Sequence, residues 1–219
     1  MHQHDALAVP VQLIGQFEVV ELDAISAREL FVDRGYSGTT VASVADHAGV
    51  SPETIYLSLG GKRGLLEGVM DITGPHDSAA DDESWCAMVE QVADPSERLG
   101  MMAEYSCRIL ARTRAIHAII RGAADKEPFA ADLGRRLLQE RLANQIDRVR
   151  RYLGDDLRPG LSVADAGQRY CVLSSPELYH LLTVDLAWPA GQHQDWLTQL
   201  LQTDLLGPEP DRRRRATTR

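Results

Sequence analysis

Aromatic residues are scarce in this chain, only 5% of 219. That scarcity, with Ala and Leu recurring throughout, disfavours a β-sandwich and favours helices. Cysteine is scarcer: Cys86, Cys107 and Cys171 lie far apart and form no CxxC pair. Neither a zinc site nor a disulfide framework is expected, and a reducing compartment suits such a chain. Lysine occurs only at positions 62 and 126, so Arg supplies nearly all the positive charge. No apolar run approaches the roughly 20 residues needed to cross a bilayer. The opening MHQHDALAVPVQLIGQF lacks the basic and apolar regions of a secretion signal. The expectation is a cytoplasmic protein without a membrane partner. No GxSxG, HExxH or Gly-rich phosphate loop occurs, and the seven His are scattered. Accordingly no catalytic residue, no metal and no cofactor is expected.

What is present is ordinary globular composition, 44% hydrophobic and 25% charged, with a net charge of −9. That sign excludes a surface that binds nucleic acid everywhere, so any such binding must be local. The stretches 1–18 and 208–219, the latter ending in the Arg212–Arg215 run, lack an apolar period and read as disordered.

Between them the periodicity is helical, and the fold expected is all-α. Ala24, Ala27, Leu30 and Phe31 share one helical face, stopped at Gly35. Thr39 and Thr40 cap a short segment in which Val41, Val44, Ala45 and Ala48 align. Gly49 breaks it. Ser51 is positioned as an N-cap, Pro52 as the first helical residue, and Glu53 as a favourable charge at the helix start. Gly60-Gly61 ends this helix, and a further one runs from about Lys62 to Thr73. An acidic loop, His76 to Glu83, is expected next. Pro95 opens a segment carrying Leu99, Met102, Ser106, Ile109 and Thr113, followed by a shorter one through His117, Ile120 and Ala124. Pro128 opens a long helix with Leu133, Leu137, Leu138, Leu142, Ile146, Val149 and Leu153 as its stripe. Two last segments cover Val163 to about Trp188 and Pro189 to Leu206.

The stretch HAGVSPETIYLSLGGKRGLL, His47 to Leu66, has the form of a helix-turn-helix. Its first helix packs, Gly49 allows the turn, and its second presents Pro52, Glu53, Thr54, Leu57 and Ser58 outward. Free N–H groups at that helix start could hold a phosphate, and Thr40, Tyr56 and Lys62 could reach backbone oxygens. The same spacing also fits a corner in a helical protein that touches no DNA. From Val20 to Pro75 there are four basic residues against eight acidic ones, a net of −4.

The forty residues ARELFVDRGYSGTTVASVADHAGVSPETIYLSLGGKRGLL resemble the N-terminal module of the tetracycline-repressor (TetR) family. The match is carried by Ala27, Leu30-Phe31, Gly35, Thr39-Thr40, Val44-Ala45, Ala48 to Ser51, Thr54, Ile55-Tyr56, Lys62 and Leu65-Leu66. LRPGLSVADA and SSPELYHLLTVDLAW resemble that family's C-terminal domain more weakly. Leu57, Ser58 and Leu59 depart from it, standing where many members carry an aromatic or His followed by Phe. Glu18, Glu21 and Asp23 depart as well, lying where the resemblance implies basic residues that face DNA.

The resemblance implies an all-helical homodimer that binds a double-stranded DNA operator and a small-molecule effector. A DNA-binding domain would occupy 19–74, its motif about 40–59, and an effector-binding and dimerisation domain 75–207. The DNA-facing set expected is Thr39, Thr40, Ser51, Pro52, Glu53, Thr54, Tyr56, Leu57, Ser58 and Lys62. Met102, Tyr105, Ile109, His117, Ile120 and Tyr170 are candidates for an effector pocket, though taken singly each fits plain core better. Leu178, Leu181, Leu182, Trp196, Leu197, Leu200 and Leu201 are candidates for the interface between two copies.

Overall fold

The computed structural model describes the backbone of residues 11–73 and 79–206, with side chains over 23–73 and 84–206. Among these residues every regular element is helical. The chain divides into two compact units, Met1–Thr73 and Gly74–Arg219.

In the first unit α1 (Val11–Gly38) packs mainly on α4 (Lys62–Thr73), with α2 (Val41–Ala48) and α3 (Pro52–Leu59) set against them. Ala24, Ala27 and Phe31 of α1 meet Leu65, Leu66 and Val69 in a core that also takes Val44, Ala45 and Ile55, all nearly inaccessible. Each large apolar side chain removed from water stabilises this small unit by about 1.5–3 kcal/mol. The expected stop at Gly35 is a break inside α1, at φ 69° and ψ 172°. Helix α1 begins at Val11, so the backbone of 11–18 is helical where disorder was expected; residues 1–10 lie outside the described part.

In the second unit α5 (Ala79–Gln91) starts inside the stretch expected to be an acidic loop. Helix α6 (Pro95–Ala124) is continuous, with no break before His117. Its cause is local: residues 101–121 contain neither Gly nor Pro to interrupt the ladder. Helix α7 (Pro128–Leu153) packs on α6 and on α8 (Val163–Leu173). Helix α9 (Pro176–His180) passes into a π-helical turn at Leu181–Asp185, and α10 (Ala190–Leu201) into another at Gln202–Leu206.

The core joins Trp85 and Val89 of α5 to Leu99, Met102 and Tyr105 of α6, Val149 and Leu153 of α7, Tyr170 of α8, and Leu197, Leu201 and Leu205. The α7 stripe buries Leu133, Val149 and Leu153 as expected and half-buries Leu137, Leu142 and Ile146, but departs at one position and takes in others. Leu138 is exposed, while Ala130, Leu133, Gln145, Val149 and Tyr152 are buried. The 208–219 tail lies outside the described residues.

Candidate nucleic-acid interface

Both short helices of the first unit are closed at each end by local hydrogen bonds. Thr40 caps α2: its Oγ1 accepts from Ser43 N–H at 3.0 Å, while Ser43 Oγ accepts from Thr40 N–H at 3.0 Å. Gly49 leaves α2 in the left-handed region at φ 72°, where a Cβ would be strained, and its N–H reaches back to carbonyls of the helix. Ser51 caps α3, its Oγ accepting from Thr54 N–H at 3.2 Å. Gly60, at φ 70°, closes the other end.

Helix α3 buries Ile55 and turns outward two large side chains, Tyr56 at 58% exposure and Leu57 at 88%. Thr40, Ser51, Glu53 and Ser58 are exposed as well, and Pro52, Thr54 and Lys62 partly so. The Tyr56 ring lies against Gly61, where a Cβ would come within 2.8 Å of its Cε1. Lys62 sets its ammonium 4.2 Å from the centre of the Tyr36 ring, which holds the charged end of its side chain over that ring.

Three placements differ from the expectation. Thr39 is wholly buried, its hydroxyl 3.1 Å and 2.9 Å from the carbonyl oxygens of Leu30 and Gly35. It closes the break in α1 and is not a DNA-facing residue. The start of α3 is not open to phosphate. Ser51 takes the Thr54 N–H, and the Glu53 carboxyl is held below its ordinary pKa by its own backbone N–H and by the Ser51 hydroxyl. Asp23 does not adjoin a duplex, being wholly buried. Ser58 Oγ can donate to its Oδ2 at 3.5 Å, Oδ1 has no partner among the described residues, and burial raises the carboxyl's pKa. The sequence signal for Asp23 is its spacing of one and four residues from Ala24 and Ala27, which puts it on the packed face.

In the second unit Met102, Tyr105 and Tyr170 belong to the core, with Ile109 packed against it. Tyr170 donates to the Met102 carbonyl at 2.8 Å, and its hydroxyl lies 2.8 Å from Ser106 Oγ. Ile120 is buried. His117 is partly buried, and desolvation, followed by the nearby Arg141, lowers its pKa to about 4. Leu197 and Leu201 are fully buried in their own core and Leu182 nearly so, so these three have no surface to offer a second copy. Leu181, at 45% exposure, keeps such a surface, and Leu178, Trp196 and Leu200 are partly exposed.

Two groupings went unnoticed in the sequence. Cys107 Sγ and His193 Nδ1 stand 3.3 Å apart in the interior, and burial pushes the thiol up to about 11, so it is protonated and unreactive at neutral pH. Arg141, Gln145 and Arg148 lie on one face of α7. Their spacing of i, i+4 and i+7 puts them on one face, but α7 carries many other polar residues, so nothing in the sequence singles these three out. Among the described residues no group of three or more potential metal ligands occurs, and no helix is long and apolar enough to cross a membrane.

Residues 26–69 match the family described as bacterial regulatory proteins, tetR family. The whole fold resembles solved TetR-family transcriptional regulators. One, from Syntrophomonas wolfei, is 12% identical with a TM-score of 0.69, over 85% of this chain and 94% of that one. NalD of Pseudomonas aeruginosa, the secondary repressor of the MexAB-OprM multidrug efflux pump, is 18% identical with a TM-score of 0.65, over 87% and 98%. FadR of Bacillus subtilis, solved in complex with stearoyl-CoA, is 17% identical with a TM-score of 0.64, over 86% and 98%. No curated protein matches the sequence.

Proposed function

This chain carries the N-terminal domain of the tetR family at residues 26–69, and from that premise we propose that it is a ligand-responsive repressor. It binds a palindromic DNA operator as a homodimer and is released by a small effector. The observation that carries this reading is the outward face of α3. A capped eight-residue helix holds Tyr56 and Leu57 in water at 58% and 88% exposure, at a cost that a groove contact would repay. Tyr56, Thr40 and Lys62 contact phosphates, and Leu57, Ser58, Thr54 and Pro52 approach base edges. Ser51 and Glu53 close the helix start between them.

The dimer would form through Leu178, Leu181, Trp196 and Leu200, together with the exposed Val184 and Leu186 beside them. Two copies related by a two-fold axis place two α3 helices in successive major grooves. The effector would act within the second unit around α6, near Met102, Tyr105, Ile109, His117, Ile120 and Tyr170. Its binding shifts the population between DNA-competent and DNA-incompetent dimers. That NalD is a repressor and that FadR was solved with stearoyl-CoA support this reading.

One observation favours a second reading, a helical dimer that has lost DNA binding: the eight acidic against four basic residues between Val20 and Pro75. Selection of genomic fragments on the purified protein separates the two. Recovery of a palindromic site at low salt supports the repressor; recovery of none, with the effector still bound, supports the second reading.

A further inference from the structure

Among the described residues of the second unit, seven arginines pair with a carboxylate. On the outer faces of α7, Arg135 pairs with Asp132, Arg150 with Asp147, and Arg151 with Glu90 at 2.7 Å. Three guanidinium groups bury an Nε that has no hydrogen-bond partner: those of Arg98, Arg141 and Arg158. Arg98 and Arg158 are nonetheless neutralised, by Asp156 at 2.6 Å and Asp204 at 3.8 Å. Arg141 has no carboxylate partner among the described residues. Neither has Arg148, whose guanidinium rests 4.5 Å from the Tyr105 ring centre and 5.8 Å from that of Trp85.

Arg141 and Arg148 are seven residues apart on one face of α7, about 10 Å along the axis. Between them Gln145 is nearly inaccessible. Its Nε2 donates to Ser174 Oγ at 3.3 Å, and Ser174 itself donates to the Tyr170 carbonyl at 2.7 Å. That chain of donors leaves Gln145 Oε1 as a buried acceptor without a partner among the described residues.

Guanidinium does not lose its proton, so a partly dehydrated Arg without a counter-charge is costly. A chain with 32 acidic residues supplies plenty of carboxylates, yet none is placed here. We propose that the α7 face Arg141–Gln145–Arg148 is the binding site for an organic oxyanion, a carboxylate or phosphate that carries a hydroxyl or N–H beside its charge. The oxyanion neutralises the guanidinium groups, the adjacent donor bonds Gln145 Oε1, and an apolar body lies along Tyr105 and Trp85. This names the chemical class of the effector and rests on the regulatory reading above. His117 fits such a site: burial and then Arg141, opposed by Glu177 and joined by Arg121, hold it neutral, so it adds no competing charge.

The test uses the full-length protein, with Trp fluorescence and calorimetry as readouts and 2-hydroxyoctanoate, octanoate, octyl phosphate, 1,2-octanediol and octylamine as probes. At least one of the hydroxy acid and octyl phosphate binds tenfold or more tighter than the neutral diol, and octylamine binds no tighter than the diol. Comparing these two probes tells carboxylate from phosphate. Arg141→Gln and Arg148→Gln each lose fivefold or more of the binding, while their ligand-free forms unfold at or above the wild-type temperature. Gln145→Leu removes the preference for 2-hydroxyoctanoate over octanoate. Equal binding of diol and acid, a preference for the amine, or full acid binding by both Arg variants would mean that water alone serves these groups, and would overturn the proposal. Tight anion binding that leaves operator affinity unchanged would instead overturn the regulatory reading and leave the anion site standing.

Discussion

The two units bury ionisable groups of opposite sign, and their surfaces do the reverse of what their proposed ligands would suggest. The first unit is the one expected to meet a polyanion, yet it is acidic and buries the carboxyl of Asp23. The second meets no polymer, yet it withdraws Arg141, Arg148, His117 and His193 from water. Affinity for DNA therefore cannot rest on bulk charge. It must come from a few placed contacts doubled by symmetry, and it should fall steeply with salt. In the second unit Arg141 and Arg148 have no carboxylate partner among the described residues, and there the proposed anion would bind.

The same contrast appears in pH dependence, and it yields the largest expected effect. His117 has a folded pKa lowered from 6.5 to about 4, and burial lowers His193 as well. A depressed imidazole contributes stability that is fully present above pH 6.5 and is lost as pH falls toward 4, because only the unfolded chain takes up the proton. The His117 share is at most about 3 kcal/mol. All three tryptophans, Trp85, Trp188 and Trp196, lie in the second unit, so Trp fluorescence follows that unit alone. Acid titration should show the loss, and His117→Gln should blunt it. An unchanged profile in the variant would remove His117 from the account.

Next in size is the packing of α8 on α7. A Cβ on Gly167 would stand 2.5 Å from Ile146 Cγ1 and 2.7 Å from its Cα, a backbone atom that cannot rotate aside. Gly167→Ala should cost about 2–3 kcal/mol in denaturant unfolding followed by Trp fluorescence. Operator binding should be untouched in molecules that remain folded. The paired change Tyr56→Ala with Lys62→Ala acts on the other unit and should do the opposite. Operator affinity drops tenfold or more, about 1.4 kcal/mol, while gel filtration still gives the dimer.

The smallest expected effect belongs to Asp23. Its raised folded pKa means that its contribution to stability is fully present below the unfolded value of 3.8 and is lost as pH rises through the folded value. Asp23→Asn should therefore protect α1 and α3 from amide hydrogen exchange at pH 7 by about 1 kcal/mol, with the gain vanishing in acid. A loss of protection at neutral pH would show that the Ser58 hydrogen bond to the carboxylate outweighs the cost of burying it.

The first unit was legible because its signals are local. Thr40 and Ser51 as caps, Pro52 at the helix start, and Gly35, Gly49 and Gly60 as breaks all act within a few residues. What local reading misplaced was burial. Thr39 and Asp23 look like surface residues by type; the partner at Leu30 shows otherwise for Thr39, and for Asp23 so does its spacing from Ala27. The second unit was legible as a set of helices but not as an arrangement. The leucines of α7 suggest one stripe, and close contact with α8 at Gly167 and with α6 at Gly134 adjusts it, turning Leu138 out and Gln145 in. Leu197 and Leu201 read as an apolar face awaiting a partner, and that partner is the core of their own chain.

The most direct test of the central claim is the affinity of the purified protein for a palindromic fragment selected from genomic DNA, measured by fluorescence anisotropy from low to high salt. The account predicts binding by two protomers, weakening steeply with salt and lost in the Tyr56→Ala, Lys62→Ala variant. Selection of no palindromic site at low salt, or binding that the variant retains in full, would contradict it.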